Sequence, residues 1–328
     1  MPSEMQAAVT SVGPWDCVFA SGVPEALATS LLDTALAMAV PLLLAALGEL
    51  LAERAGIVNI GLEGMMLTGA FAAMVAAYAS AQPWLGVIAS AGAGALLGAV
   101  LAIAVVGFGA NQVVSGTAIN LLALGATGVG YRAIFGVTGS ALTIDGFARS
   151  PIPGLSALPI LGSTLFAQPV LAYAALVLVP LIAWWFRGTL SGLAWRMVGE
   201  DPYAAATQGV RVRLVRFLSL VSCGVLAGIG GGYLVLAYAK TFVEGMSAGR
   251  GFIALAIVIL GAWSAWGILA AAVLFGLAIA LQFHIQALGL AIPYQAALAL
   301  PYMLTLAVLA LYGSHSQAPL GLGRDGSR

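Results

Sequence analysis

The sequence predicts an all-α, polytopic membrane protein with about eight to ten transmembrane helices, and three observations point there. Of its 328 residues, 62% are hydrophobic and 7% charged, against about 45–50% and about 25% in soluble domains. The mean hydropathy is +1.05, and so few polar side chains cannot coat a soluble globule of 33.1 kDa. The apolar residues run on for about 20 positions at a time instead of alternating as in a membrane β-barrel. A soluble enzyme and a disordered chain are therefore excluded. Twelve Lys and Arg balance twelve Asp and Glu, so there is no basic field to hold nucleic acid.

The spans follow in order. Residues 1–26 contain no Lys or Arg, so they lack the basic start of a signal peptide and form a separate N-terminal segment. A single transmembrane domain then covers residues 27–312. Its first apolar window is Leu27–Leu51, interrupted by Asp33 and Pro41. The second is Ile57–Ser80, carrying Asn59 and Glu63. Trp84–Phe108 is free of charge, and Gln112–Phe135 ends near Arg132. Pro169–Phe186 and Phe217–Ala239 come next. Gly251–Gly261 is too short to cross and reads as a half-helix or as a helix continuing into the next turn. Ile268–Phe283 and Tyr294–Tyr312 complete the set. Residues 313–328 read as a tail.

Two long connections fix the orientation. Residues 136–168 hold Pro151, Pro153, Gly154 and Pro159, which makes them an irregular loop. Residues 187–216 hold five Arg and belong in the cytoplasm by the positive-inside rule. Alternation then puts the 136–168 loop outside, and Arg54 and the tail inside.

Within the 187–216 loop, Asp201 is a good helix N-cap and Pro202 suits the first helical position. The Ala-rich run after Tyr203 favours helix, and Gly209 suits a left-handed stop. The loop should hold a short capped helix at the cytoplasmic surface. It is either an ordinary loop helix or a docking element for a soluble partner.

Charged groups inside a span are costly and so are functional candidates. Asn59 and Glu63, four residues apart, are expected on one helical face. Asn111 and Asn120 would add amide hydrogen bonds. These four are the candidate solute-pathway residues, with helix tying as the alternative role for Glu63. Glu49 and Arg54 read as an interfacial pair, and Asp33 as a structural group near the outer surface. Gly224, Gly228 and Gly232 make one small face for helix packing, with a hinge at Gly230–Gly232 as the alternative. Gly94 and Gly98 read as packing too.

Catalytic and metal-site signals are weak. Gly245–Gly249 fits a G-x-S-x-G nucleophile pattern around Ser247, with His284 as a conceivable base, but no strand–turn–helix context is evident. Cys17 and Cys223 show neither disulfide nor metal spacing. The one lysine, Lys240, belongs to no phosphate-binding loop.

Several stretches resemble permeases of ATP-binding cassette importers of the branched-chain amino acid, ribose and nucleoside group. Residues 53–66 read ERAGIVNIGLEGMM, similar to the family signature ERAGxVNIGLEGMM. Asn111–Leu122, Pro151–Leu155, Ala248–Ala256 and Ile292–Gln295 fit as well. Arg196–Gly209 is similar to the family's cytoplasmic coupling segment, with Asp201 where Asn is usual. Gly261–Gly267 departs from the family's GRWNPLG and lacks its basic residue and Asn-Pro.

The resemblance, closest to nucleoside or simple-sugar permeases, implies a type II-like importer permease in the bacterial plasma (inner) membrane. A cytoplasmic ATP-binding cassette subunit would dock on Arg196, Gly199, Glu200, Asp201, Pro202, Ala205 and Gly209. A second homologous permease, or a second copy, would pair with it, and an extracytoplasmic solute-binding lipoprotein would deliver the solute. The chain would need no cofactor, because ATP would be hydrolysed on the partner. The rival expectation is a secondary transporter driven by an ion gradient.

Overall fold

In the computed structural model, residues 23–136, 142–150, 164–287, 294–312 and 318–323 are described. The Pro151–Leu155 motif, Cys17, Ile292, Pro293, His315, Arg324 and Arg328 lie outside the described residues.

All regular structure among the described residues is helical. Helix α1 spans Val23–Glu53 and α2 Leu62–Ser80. Helix α3 spans Pro83–Ala102 and ends in a π-helical turn, Ile103–Gly107. Helix α4 is Gln112–Phe135 and α5 Val170–Gly188. Helices α6, Leu190–Glu200, and α7, Pro202–Thr207, follow. Helix α8, Val212–Tyr233, ends in a second π-helical turn, Leu234–Ala239. Then come α9, Arg250–Leu260, α10, Ala265–Ala287, and α11, Tyr294–Tyr312. Seven of these segments are long and apolar enough to cross a membrane (α1 to α5, α8 with its π turn, and α10), and α9 is a shorter apolar helix.

The layout is concentric. The apolar window of α1 is 89% buried and that of α4 only 22%, so α1 is the central mast and α4 lies on the periphery. Helix α8 packs on α3, α1 and α2, while α10 and α9 pack on α1. Lipid tails are as apolar as leucine, so close backbone approach holds such helices together. At the α3–α8 crossing a Cβ on Gly94 would run into the Gly224 carbonyl, and one on Gly98 would lie 2.5 Å from the Leu220 carbonyl. Gly228 meets Ser90, as does Gly232. The glycine spacing is therefore a packing face, and Gly230 and Gly231 are also pressed against Pro41 and Met66. Gly94→Leu is expected to destabilise the fold by about 3 kcal/mol or more, the upper range of overpacking. A lowered thermal midpoint in detergent would show it.

The second span does not start at Ile57. Residues 57–61 are non-helical and α2 begins at Leu62, so Asn59 precedes the helix and shares no helical face with Glu63. Irregular backbone between two such spans needs its polar groups satisfied by protein or water, and side chains from α1 and α4, together with Asn59 itself, do this here. Val58 N–H donates to Gln112 Oε1 at 3.0 Å and Asn59 N–H to Glu49 Oε1 at 2.8 Å. Gly61 N–H donates to Asn59 Oδ1 at 2.9 Å. Asn120 closes the break by accepting from Gly64 N–H and donating to the Ile60 carbonyl, both at 2.8 Å.

Glu49 is therefore no partner of Arg54. It is fully buried and also accepts from Cys223 Sγ at 3.4 Å. Asp33 ties down the outer loop, pairing with Arg149 at 2.5 Å and accepting from Gln168 Nε2 at 2.9 Å.

Candidate functional site

The 187–216 loop folds as two helices, where the sequence suggested one. Thr189 caps α6, its hydroxyl accepting from Gly192 N–H at 3.1 Å. Trp195 anchors α6 to the mast by donating its indole N–H to the Leu51 carbonyl at 2.8 Å, and its ring stands edge-on to Trp185. Gly199 lies directly on the Arg54 carbonyl, with no room for a Cβ.

Asp201 turns the corner. Its backbone N–H ends α6 on the Met197 carbonyl at 2.9 Å, and its Oδ1 accepts from Tyr203 and Ala204 N–H at 2.9 and 3.1 Å. Pro202 is the first residue of α7, and Ala205 is fully buried. Gly209 adopts φ +82°, the left-handed stop read from the sequence. The outer side of the corner is apolar: Leu190, Leu193, Met197, Ala204 and Val210 line an open groove between α6 and α7, and Tyr203 is 64% exposed. Residues 187–216, the end of α1 and residues 318–323 all meet here, so they share one face of the membrane, as the charge rule requires.

Beneath the corner, Arg54 donates Nε and Nη2 to the Trp263 carbonyl at 3.1 and 2.7 Å. Burial and then the nearby Arg196 pull the Arg54 guanidinium below its usual range, and Glu200 opposes them. The Trp263 indole donates to Glu53. These contacts hold a tight turn in which Ala262 and Trp263 adopt φ +49° and +52°, a conformation costing about 1–2 kcal/mol per residue. This is the stretch that departs from GRWNPLG. Its turn is kept by packing against Glu53 and Arg54.

Near the start of α2, Glu63 accepts from Gly249 N–H at 2.8 Å and Gly251 N–H at 2.6 Å. It therefore caps α9 from another helix. Eleven residues rise about 16 Å, so α9 is a half-helix that starts against Glu63 and ends at the Trp263 turn. A carboxylate suits the positive end of a helix. Asn111 lies elsewhere, capping α4 through Val113 and Val114 N–H at 3.0 and 3.1 Å. Of the four candidate pathway residues, Asn59, Glu63 and Asn120 gather at the α1–α2 break and Asn111 does not. Gln112, which the sequence reading missed, and Glu49, which it paired with Arg54, complete the break. Their only sequence signal is a polar side chain within or beside an apolar run.

Ser247 is buried in a turn with positive φ at Gly245, Ala248 and Gly249. Arg250 folds back on that turn, donating to the Met246 and Ser247 carbonyls. The His284 ring bonds to Ser30 Oγ at 3.2 Å and the Ala280 carbonyl at 2.9 Å. Among the described residues no cluster of His, Cys, Asp and Glu could hold a metal ion.

The family described as branched-chain amino acid transport system / permease component matches residues 31–309. The chain is 38% identical over 297 residues to the guanosine ABC transporter permease protein NupQ of Bacillus subtilis, covering 88% of this chain and 93% of that protein. It is 38% identical over 305 residues to the putative glucose ABC transporter permease protein TsgC13 of Haloferax volcanii, covering 86% and 91%. It is 36% identical over 289 residues to the nucleoside ABC transporter permease protein NupC of Lactococcus lactis, covering 85% and 90%. No solved structure matches.

Proposed function

The chain belongs to the branched-chain amino acid transport permease family and is the permease subunit of an ATP-binding cassette importer in the bacterial inner membrane, and from that premise we propose that it moves nucleosides, driven through the α6–α7 corner. An importer permease of this kind works with ATP-binding and solute-binding partners. In this proposal the ATP-binding cassette subunit seats on the apolar groove beside Tyr203, contacting the segment from Arg196 to Gly209. A second permease, homologous or identical, completes the path, and an extracytoplasmic lipoprotein delivers the solute.

The observation that carries this is the rigid seat of the corner. Cap, buried Ala205, Trp195 anchor and the Gly199–Arg54 contact tie α7 to the mast and give motion imposed on α7 a route to α1. Cassette closure then shifts the population between inward-open and outward-open arrangements. The chain carries no phosphate-binding loop, so ATP is bound and hydrolysed on the partner. Asn59, Glu63 and Asn120 shape the path by holding backbone in place, because their polar atoms already have protein partners, and Asn111 does so by capping α4.

Nucleoside is favoured over sugar because NupQ and NupC are named for nucleosides. Uptake of labelled guanosine by cells expressing the importer should be competed by uridine and untouched by glucose. Competition by glucose alone would move the solute to the sugars. The chain itself performs no catalysis: Ser247→Ala is expected to keep full uptake in the same assay, and its loss would revive a hydrolase.

A further inference from the structure

We propose that residues 318–323 form a strap that locks the α6–α7 corner to the α1–α2 junction, and that the corner transmits force only while the strap is in place. This rests on α6–α7 being the docking element. The segment reads as an unremarkable tail, and it lies beyond residue 309, where the family match ends.

The strap is held on both sides by its backbone. Gly321 N–H donates to the Gly199 carbonyl at 2.9 Å and Gly323 N–H to the Gly56 carbonyl at 3.1 Å. Leu320 N–H donates to Glu200 Oε2 at 3.2 Å. Leu322 N–H closes a turn on the Pro319 carbonyl at 3.0 Å. Pro319 and Gly321 are buried, and Leu322 packs on the main core.

Three glycine backbones meet there. A Cβ on Gly321 would lie 2.7 Å from the Gly199 carbonyl, and one on Gly56 would lie 3.3 Å from the Gly321 carbonyl. Gly56 also needs its φ of +86°. The Gly199 carbonyl belongs to the last turn of α6, where no intrahelical donor remains, and the strap supplies one. Without it, a push on α7 is free to swing the corner about Asp201 instead of moving α1.

The test uses the complete importer in vesicles, comparing the unaltered chain with one lacking residues 318–328, with Gly321→Val and with Leu320→Ala. The readouts are solute moved per ATP hydrolysed and the thermal midpoint of the permease. The truncated chain and Gly321→Val should each lower solute per ATP by about tenfold, the factor that losing one or two net hydrogen bonds gives. Their ATP hydrolysis should continue. Leu320→Ala should match the unaltered chain, because Leu320 contributes a backbone N–H and its side chain is 72% exposed.

Unchanged solute per ATP in both strap variants overturns the strap, as does a lowered thermal midpoint with an unchanged ratio. Ala205→Pro in the same assay separates the two levels. If it uncouples while the strap variants do not, the corner still docks the cassette and the strap is packing alone. If it couples normally, corner and strap both lose their role.

Discussion

Ala205→Pro is expected to leave ATP hydrolysis running while uptake falls by about a hundredfold, the factor matching the roughly 3 kcal/mol cost of proline inside a helix. Ala205 N–H donates to the Asp201 carbonyl at 3.0 Å, and proline both removes that bond and crowds that carbonyl. Helix α7 has six residues, far too few to persist without its caps and its packing. It packs mainly on α6, with less contact to α8, so its loss is expected to spare the membrane domain. The expected signature is a normal thermal midpoint, a normal amount of assembled importer and lost coupling. Asp201→Ala should act in the same direction but more weakly, since losing an N-cap costs about 1 kcal/mol, while Asp201→Asn keeps an acceptor and should couple normally. Assays of uptake and ATP hydrolysis on the same vesicles check all three variants.

Glu63 carries the second large effect. Glu63→Ala strips both acceptors from the N-terminus of α9. Hydrogen bonds to a charged group are worth about 1.5–3 kcal/mol each, so a loss of about 3 kcal/mol or more is expected. Glu63→Gln keeps one carbonyl acceptor but turns an NH₂ group toward the other N–H, and should fall between. Thermal midpoints should therefore rank wild type, Gln, Ala, with uptake following the same order. A proton-coupled transporter behaves differently: Gln would abolish uptake as completely as Ala while leaving stability intact.

What was legible in the sequence was local. The run Gln112–Phe135 became α4 with the same bounds, because an unbroken apolar stretch has one stable answer in lipid. Asp201, Pro202 and Gly209 announced α7 because cap, first turn and stop lie within nine residues. The α1–α2 break was hidden because its stabilising groups, Glu49 on α1 and Gln112 and Asn120 on α4, come from two helices outside it. Hydropathy over Ile57–Ser80 stays high through the break, and so Asn59 and Glu63 fell on one imagined face.

Helix α6 was missed for a related reason. Its hold on the mast runs through Trp195 to Leu51 and through Gly199 to Arg54, and neither contact leaves a trace in local composition. The cap of α9 is the clearest case, since its carboxylate lies 186 and 188 residues from the amides it satisfies. No window over the chain joins those positions. The strap, Ala318–Gly323, has neither charge nor a long apolar run, and only its fit among three glycines marks it.

The most direct measurement places the purified permease in sealed vesicles with an imposed proton gradient, with and without its cassette subunit, and follows labelled guanosine. No accumulation should occur with the permease alone. Accumulation should begin only when the cassette subunit, the solute-binding partner and ATP are all present. Guanosine concentrated by the permease alone, at a rate that tracks the proton gradient, would contradict a conduit powered through the α6–α7 corner.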